Sequence, residues 1–418
     1  MFKKLERSQV FKDPLYGYIQ VDNELILELI NTSVFQRLRR IRQLSGVHMV
    51  FHGAEHSRFS HSLGVYNVAY RFLTVPDIQN VLDERKKMLF LCAALLHDIG
   101  HGAYSHAFED VFGVNHEHIG ANLILHHEEL RSIFDGVDFE FKSDLASILL
   151  KTKKFPIIEQ LISSQLDVDR LDYLERDAYF TGAAYGHIDL DRLIRVLYIR
   201  NGQVVFKISG IHAIENYLIS RYHMYWQVYY HPVARAYEVN LEKIYRRVKD
   251  LLELGYRFES NVLPLQKVIE NPNDIDHFLE IDDYYINGLI QSFRKTKDKI
   301  LKDLSNDFLN RHIWGYMNQS DENQSKIDEI LSAYQDEEKP YYHAYRSVEN
   351  STYKDDDVSF GEEIYILLEN GEISTLKKQS AIIESLMKSG TKTDDKFFYR
   401  KKCNYKLLLL KVFMILIG

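Results

Sequence analysis

The run Leu91-Cys92-Ala93-Ala94-Leu95-Leu96-His97-Asp98-Ile99-Gly100-His101-Gly102 constrains this chain more than any other. An apolar helix ends on an adjacent imidazole and carboxylate. Gly100 and Gly102 then predict a sharp turn that folds His101 and His106 back toward the same helix end. Imidazole and carboxylate together suit first-row divalent metals, since the run offers neither a thiolate set nor an all-oxygen shell. Alone, a His-Asp pair is a weak signal, because the chain has 18 histidines and 60 acidic residues. Its setting strengthens it: His48, His52, His56, His61, His97, His101, His106, His116, His118, His126 and His127 all fall in the first third.

The bulk properties narrow the classes. A length of 418 residues predicts a main domain plus an appended region. A net charge of −8 argues against wholesale coating of a nucleic-acid backbone but permits a local basic pocket. Nucleic acid is therefore not favoured as a partner. Two cysteines, Cys92 and Cys403, provide no disulfide framework or cysteine zinc site and fit a reducing compartment. Met1 to Arg7 lacks a following apolar segment, so the expected location is the cytoplasm. The apolar tail Leu407 to Ile417 is shorter than the roughly 20 residues a membrane span needs, and no membrane partner is expected. There is no Gly-rich phosphate loop or dinucleotide fingerprint.

Periodicity predicts a mainly α fold with short β-hairpins and a C-terminal α+β region. Asp13-Pro14 precedes a β-prone run from Tyr16 to Val21, and helical spacing covers Glu24 to Gln43, His61 to Phe72, Lys86 to Asp98, His116 to Leu125, Ile157 to Tyr179 and Ile211 to Tyr230. Asn201-Gly202 between Val196–Arg200 and Gln203–Lys207 signals a hairpin, as does Asn370-Gly371 between Ile364–Leu368 and Ile373–Leu376. The expected division is a catalytic core over 1–235 and a regulatory or oligomerising region over 236–418.

Three segments together resemble the HD superfamily: Glu55-His56-Ser57-Arg58-Phe59-Ser60-His61-Ser62-Leu63-Gly64-Val65, the His97-Asp98 run, and Gln165-Leu166-Asp167-Val168-Asp169-Arg170-Leu171-Asp172-Tyr173-Leu174-Glu175-Arg176-Asp177. That resemblance implies an HD-domain helical core and a metal site of His61, His97, Asp98 and Asp169. Asp167 and Asp172 read equally well as a solvated helix face. Within the superfamily, residues 8–235 are similar to the deoxynucleoside triphosphate triphosphohydrolases. The resemblance implies that Gln43 and Leu44 pack on the deoxyribose and that Arg58, His101, His106 and Arg170 hold phosphates. Tyr173, Asp177, Arg221, Tyr225 and Tyr229 line the rest of the substrate pocket. His116 with Glu117 is the expected acid/base pair, near His106, and Glu109 is its orienting group. The implied cofactor is Mn, Fe, Ni, Co or Zn, with Mg on the triphosphate.

Arg37, Arg39, Arg40 and Arg42 read either as a solvated basic face or as a regulatory site. The resemblance implies the second: a nucleotide activator, guanine in type, held by Val10, Asn31, Gln36 and Arg39 between subunits of a homotetramer. Asn31 stands where an acidic guanine-reading residue occurs in relatives. Arg170, Tyr225 and Tyr230 also depart from the pattern, so base preference does not transfer. Two other readings compete: an HD phosphodiesterase or phosphatase on another nucleotide, and a nucleotide-sensing or nucleic-acid-binding protein.

Overall fold

The computed structural model describes residues 2–350, 363–388 and 392–401. The architecture is mainly α with small sheets and a C-terminal α+β region, as the periodicity predicts. Strands β1 (Lys4–Asp13) and β2 (Gly17–Asn23) form an antiparallel hairpin closed at Asp13↔Gly17. Asp13 shapes that turn by accepting from the Leu15 and Tyr16 backbone N–H, and its second oxygen accepts from Arg176 at 2.8 Å.

Three helices carry the centre of the molecule. Glu84–Leu96 is buried on every side from Met88 to Leu96, so it has no polar stripe and serves as the central rod. Arg58–Phe72 packs against it and against Val168–Thr181. Beyond the rod, His116–His126 packs on Phe141–Leu149. Gly100 allows this layer to close in, because a Cβ there would meet the His116 carbonyl oxygen at 2.0 Å.

Three long helical patterns are broken, the first two where side chains compete for the backbone. The Glu24–Gln43 pattern divides into Glu24–Asn31 and Ser33–Arg37, with the Thr32 hydroxyl accepting from Phe35 N, and then a short 3₁₀ turn leads into extended backbone. There Arg42 bridges Ser57 and Gln43 N donates to His56 O at 3.0 Å, which sets Gln43 and Leu44 beside the Arg58 helix. Ile157–Tyr179 is two helices, Pro156–Ile162 and Val168–Thr181, and Asp167 caps the second by accepting from Arg170 N at 2.7 Å. Ile211–Met224 gives way to a π turn, Tyr225–Tyr229, that turns successive tyrosines inward.

Both Asn-Gly hairpins form. β3 (Leu197–Arg200) and β4 (Gln203–Lys207) meet at a two-residue turn in which Asn201 and Gly202 have φ of 53° and 73°. Two further strands, β5 (Gly315–Asn318) and β6 (His343–Asn350), lie in the C-terminal half. β7 (Tyr365–Leu367) and β8 (Ile373–Thr375) form the second hairpin, whose turn is longer and has positive φ only at Gly371. β7 runs parallel to β4 and so ties this hairpin to the first. β9 (Lys392–Tyr399) lies between β5 and β6. The helix Pro232–Glu253 spans residue 235, the expected boundary between the core and the C-terminal region.

The arginine group is largely structural. Arg37 is fully buried, donating from Nη1 to His101 O at 3.0 Å and from Nε to Ile281 O at 3.1 Å. Arg40 pairs with Asp282, and Asp283 accepts from the backbone N–H of Arg42 at 3.0 Å and of Tyr104 at 2.9 Å. Arg39 alone of the four is exposed. Cys403 and the apolar run Leu407–Ile417 lie outside the described residues. Among the described residues no helix is long and apolar enough to cross a membrane.

Candidate active site and metal centre

His61 projects from Arg58–Phe72, His97 and Asp98 from the end of Glu84–Leu96, and Asp169 from the first turn of Val168–Thr181. His61 Nε2 lies 3.0 Å from Asp169 Oδ1 and 3.7 Å from Asp98 Oδ2. His97 Nε2 is 3.3 Å from Asp98 and 3.6 Å from Asp169. Ligand atoms of His61, His97 and Asp169 all lie within 4.8 Å of one another. The His97 Nε2 atom is buried and makes no hydrogen bond, although its Nδ1 is 2.9 Å from Ala94 O. A buried imidazole nitrogen left bare amid carboxylates fits a divalent cation, and so does the mixed nitrogen and oxygen donor set.

The surroundings hold these donors in place. His61 Nδ1 is 2.8 Å from Asp172 Oδ2, and Asp172 also accepts from Arg176 at 2.9 and 3.0 Å and from Tyr16 at 2.8 Å. The solvated-face reading of Asp172 is therefore wrong: the residue is fully buried and orients a histidine by its far nitrogen. Asp167 is likewise buried, as a cap. Burial opposes a charged His61, but the Asp169 and Asp172 hydrogen bonds outweigh it and raise the imidazole to about 10. Burial also opposes a charged Asp98, yet Arg58 and His97 hold that carboxyl well below its usual range. The carboxylates that favour a proton on His61 would equally favour a cation in its place, and a metal bound there would displace that proton from the imidazole nitrogen.

Arg58 donates to Asp98 at 2.5 Å and to Ser105 Oγ at 3.0 and 2.7 Å. Ser105 was not anticipated. The expected turn after Asp98 exists, but its left-handed residues are Tyr104 (φ 57°) and Ser105 (φ 49°), not the glycines. Two consecutive side-chain-bearing residues in that region are costly and persist only where neighbours enforce them. Asp283 on Tyr104 N and Asn287 on the Tyr104 hydroxyl at 2.7 Å do so.

A second cluster abuts the first. His101 and His116 stack at 3.9 Å, and Glu109 Oε1 lies 3.2 Å from His101 Nδ1 and 2.8 Å from His116 Nδ1. Burial, Arg58 and His116 lower His101 to about 4. Glu117 departs from its expected place: it pairs with Lys151 at 2.7 Å, and Glu109 is the carboxylate on His116. A carboxylate seven residues back reaches His116 Nδ1, whereas Glu117 leaves the next helical position in another direction. His106 begins the helix His106–Phe112, and its side chain lies outside the described residues.

A cavity of about 650 Å³ joins these groups, and Gln43, Leu44, Tyr173, Asp177, Tyr225 and Tyr229 line it. Asp177 accepts from Tyr229 at 2.7 Å and lies 2.8 Å from His56 Nε2. The Gln43 Oε1 atom is buried without a hydrogen bond. Arg170, expected on phosphate, and Arg221, expected in the pocket wall, do not line this cavity: Arg170 donates to Asp167 at 3.2 Å and Arg221 to Gln165 at 2.8 Å. Buried guanidinium groups need acceptors, and these are within reach. Both still act on the pocket electrostatically, since they pull the Tyr225 hydroxyl below its ordinary value against the effect of burial.

The outer residues expected to bind an activator are set apart. Val10, Asn31 and Arg39 are exposed, and Gln36 accepts from Arg39 at 2.8 Å while donating to Ile30 O at 2.7 Å.

An HD helical core with imidazole and carboxylate donors converging on one point defines a metal-dependent phosphohydrolase. The HD domain family matches residues 58–177 and the HD associated region residues 188–254. The YwfO protein of Bacillus subtilis is 42% identical over 410 residues, covering 95% of this chain and 93% of that protein. A solved phosphohydrolase of Bacteroides thetaiotaomicron superposes with a TM-score of 0.81 at 30% identity, covering 95% of this chain and all of the other. The Dictyostelium discoideum homolog of the deoxynucleoside triphosphate triphosphohydrolase SAMHD1 is 25% identical, covering 76% of this chain and 62% of its own length. The chain belongs to the HD domain family.

Proposed function

We propose that the protein hydrolyses deoxynucleoside triphosphates to deoxynucleoside and inorganic triphosphate. The observation that carries this reading is Gln43: a buried side-chain oxygen without a donor, beside Leu44, in the cavity that also holds the metal donors. A sugar hydroxyl supplies the missing donor, while Leu44 offers apolar contact to a 2′-methylene and no partner for a 2′-hydroxyl. The likeness to the Dictyostelium triphosphohydrolase homolog supports the same substrate.

The ligand set in this reading is His61, His97, Asp98 and Asp169, with Mn, Fe, Co, Ni or Zn as the ion and Mg on the triphosphate. The bound ion supplies Lewis acidity at the α-phosphate and a water of lowered pKa. Arg58 keeps Asp98 ionised and oriented. His116, held through Nδ1 by Glu109 and stacked on His101, presents Nε2 for donation of a proton to the leaving oxygen. Asp177, fixed by His56 and Tyr229, receives the sugar together with Tyr173. Arg170 and Arg221 contribute positive potential behind Tyr225. We further read Val10, Asn31, Gln36 and Arg39 as the site of a guanine-type nucleotide activator between subunits of a homotetramer, because Val10, Asn31 and Arg39 are exposed and Gln36 is hydrogen-bonded to Arg39.

Product analysis tests the reading. Purified protein with Mn²⁺ and each deoxynucleoside triphosphate, with and without a guanine nucleotide, is expected to release deoxynucleoside and intact triphosphate. Release of monophosphate products would refute it.

A further inference from the structure

Among the cationic side chains at the metal end of the cavity, Lys151 has the weakest hold on its partner. Arg58 makes three hydrogen bonds to Asp98 and Ser105, while Arg170 and Arg221 are turned to Asp167 and Gln165 away from the cavity lining. Lys151 lines the cavity beside His116 and Glu117, and its one charged partner among the described residues is Glu117 at 2.7 Å, with the two side chains 28% and 32% exposed. Its backbone has φ 54°, so the chain leaves Phe141–Leu149 in a left-handed turn, with Lys151 N on Ile148 O at 3.1 Å. That turn brings the lysine across to the start of His116–His126.

Magnitudes decide what such a lysine does. A part-exposed lysine–glutamate pair is weak, because solvent screens it and two long side chains must be held in one geometry. A charge-assisted bond from an ammonium to a phosphoryl oxygen is stronger, because a triphosphate brings about four charges near neutral pH. Exchange of Glu117 for phosphate is therefore downhill. The lining divides into two sets that border the metal donors: Asp169, Tyr173 and Asp177, one turn apart along one helix, and His101, stacked on His116, with Lys151 beyond them on a separate element.

We propose that Lys151 is the residue that binds the terminal phosphoryl group of the substrate, releasing Glu117 as the triphosphate enters. This rests on the triphosphohydrolase reading above.

The test uses Mn²⁺-loaded full-length protein, with Lys151→Gln and Glu117→Gln. Lys151→Gln should raise KM for deoxyadenosine triphosphate about tenfold with kcat within twofold, and should leave inhibition by deoxyadenosine diphosphate unchanged. Glu117→Gln, which frees the lysine beforehand, should lower KM severalfold. Calorimetric binding of inorganic tripolyphosphate should weaken about tenfold in Lys151→Gln. An unchanged KM and tripolyphosphate affinity in that variant would overturn the proposal, as would a loss confined to kcat. If the wild type turns over no deoxynucleoside triphosphate, the functional reading falls, and the tripolyphosphate result alone decides the role of Lys151.

Discussion

One methyl group at Gly64 should dismantle the metal centre from behind. A Cβ built there would sit 1.9 Å from Asp172 Oδ1 and 2.3 Å from Arg176 Nη2. Since such contacts below 3.0 Å essentially never occur, the carboxylate must retreat by about 1 Å. Asp172 sits in bonds of 2.8 to 3.0 Å to Tyr16, His61 and Arg176, and that movement carries at least two of them beyond hydrogen-bonding range. Each involves a charged group, so two losses cost about 3–6 kcal/mol. Replacing glycine by alanine inside a helix returns about 1 kcal/mol, leaving a net loss of about 2–5 kcal/mol, a large share of a typical folding free energy of about 5–15 kcal/mol. The assay is urea unfolding of Gly64→Ala together with Mn²⁺ titration followed by electron paramagnetic resonance. Gly288 is the control: it lies in a helix with nothing within 4 Å of the added Cβ, and Gly288→Ala should gain stability. A Gly64→Ala protein as stable as the wild type and equally avid for Mn²⁺ would refute the reasoning.

Two further outcomes follow from the same geometry. Asp172→Asn, which puts an amide N–H against either His61 or Arg176, should weaken Mn²⁺ binding by about 10–100-fold, measured by the same titration; an unchanged affinity would remove Asp172 from the support of His61. Burial raises the Asp283 carboxyl to about 6 in spite of the Arg42 and Tyr104 backbone N–H groups that hold it down. The folded state thus binds the extra proton between the unfolded value near 4 and about 6, and its stability falls as pH rises through that window. Relative to Asp283→Asn, the wild type should gain about 1–1.5 kcal/mol on moving from about pH 7.5 to about pH 5. Urea midpoints at both pH values check this, and a difference independent of pH would count against it.

That His61, His97, Asp98 and Asp169 come together was legible through the resemblance of three sequence segments to the HD superfamily, and each of those segments sits on or at the end of a well-patterned helix. The two Asn-Gly turns were legible because their chemistry is local. What escaped was set by tertiary competition. The interruption at Ser163–Asp167 keeps apolar spacing on both sides, so periodicity runs through it, and only the capping preference of Asp167 hints at a new start. Glu109 was anticipated as an orienting carboxylate, but the turning of Glu117 away to Lys151 depends on tertiary placement, which no spacing rule fixes. Asp282 and Asp283 lie far downstream in a segment with no motif, and nothing near them in sequence announces Arg37, Arg40 or Tyr104 as partners.

The Asp283 contact also bears on the order in which the protein matures. Tyr104 and its acceptor are 179 residues apart, so the left-handed turn beside Arg58 lacks its support for much of synthesis. At about 5–20 residues per second that interval is on the order of 10–40 s, during which the nascent chain has exposed every histidine of the first third but cannot lock Ser105 against Arg58. The Tyr104–Ser105 turn beside Arg58 is therefore among the parts of the site that take their finished form late, only after the Asp282-Asp283 corner has left the ribosome.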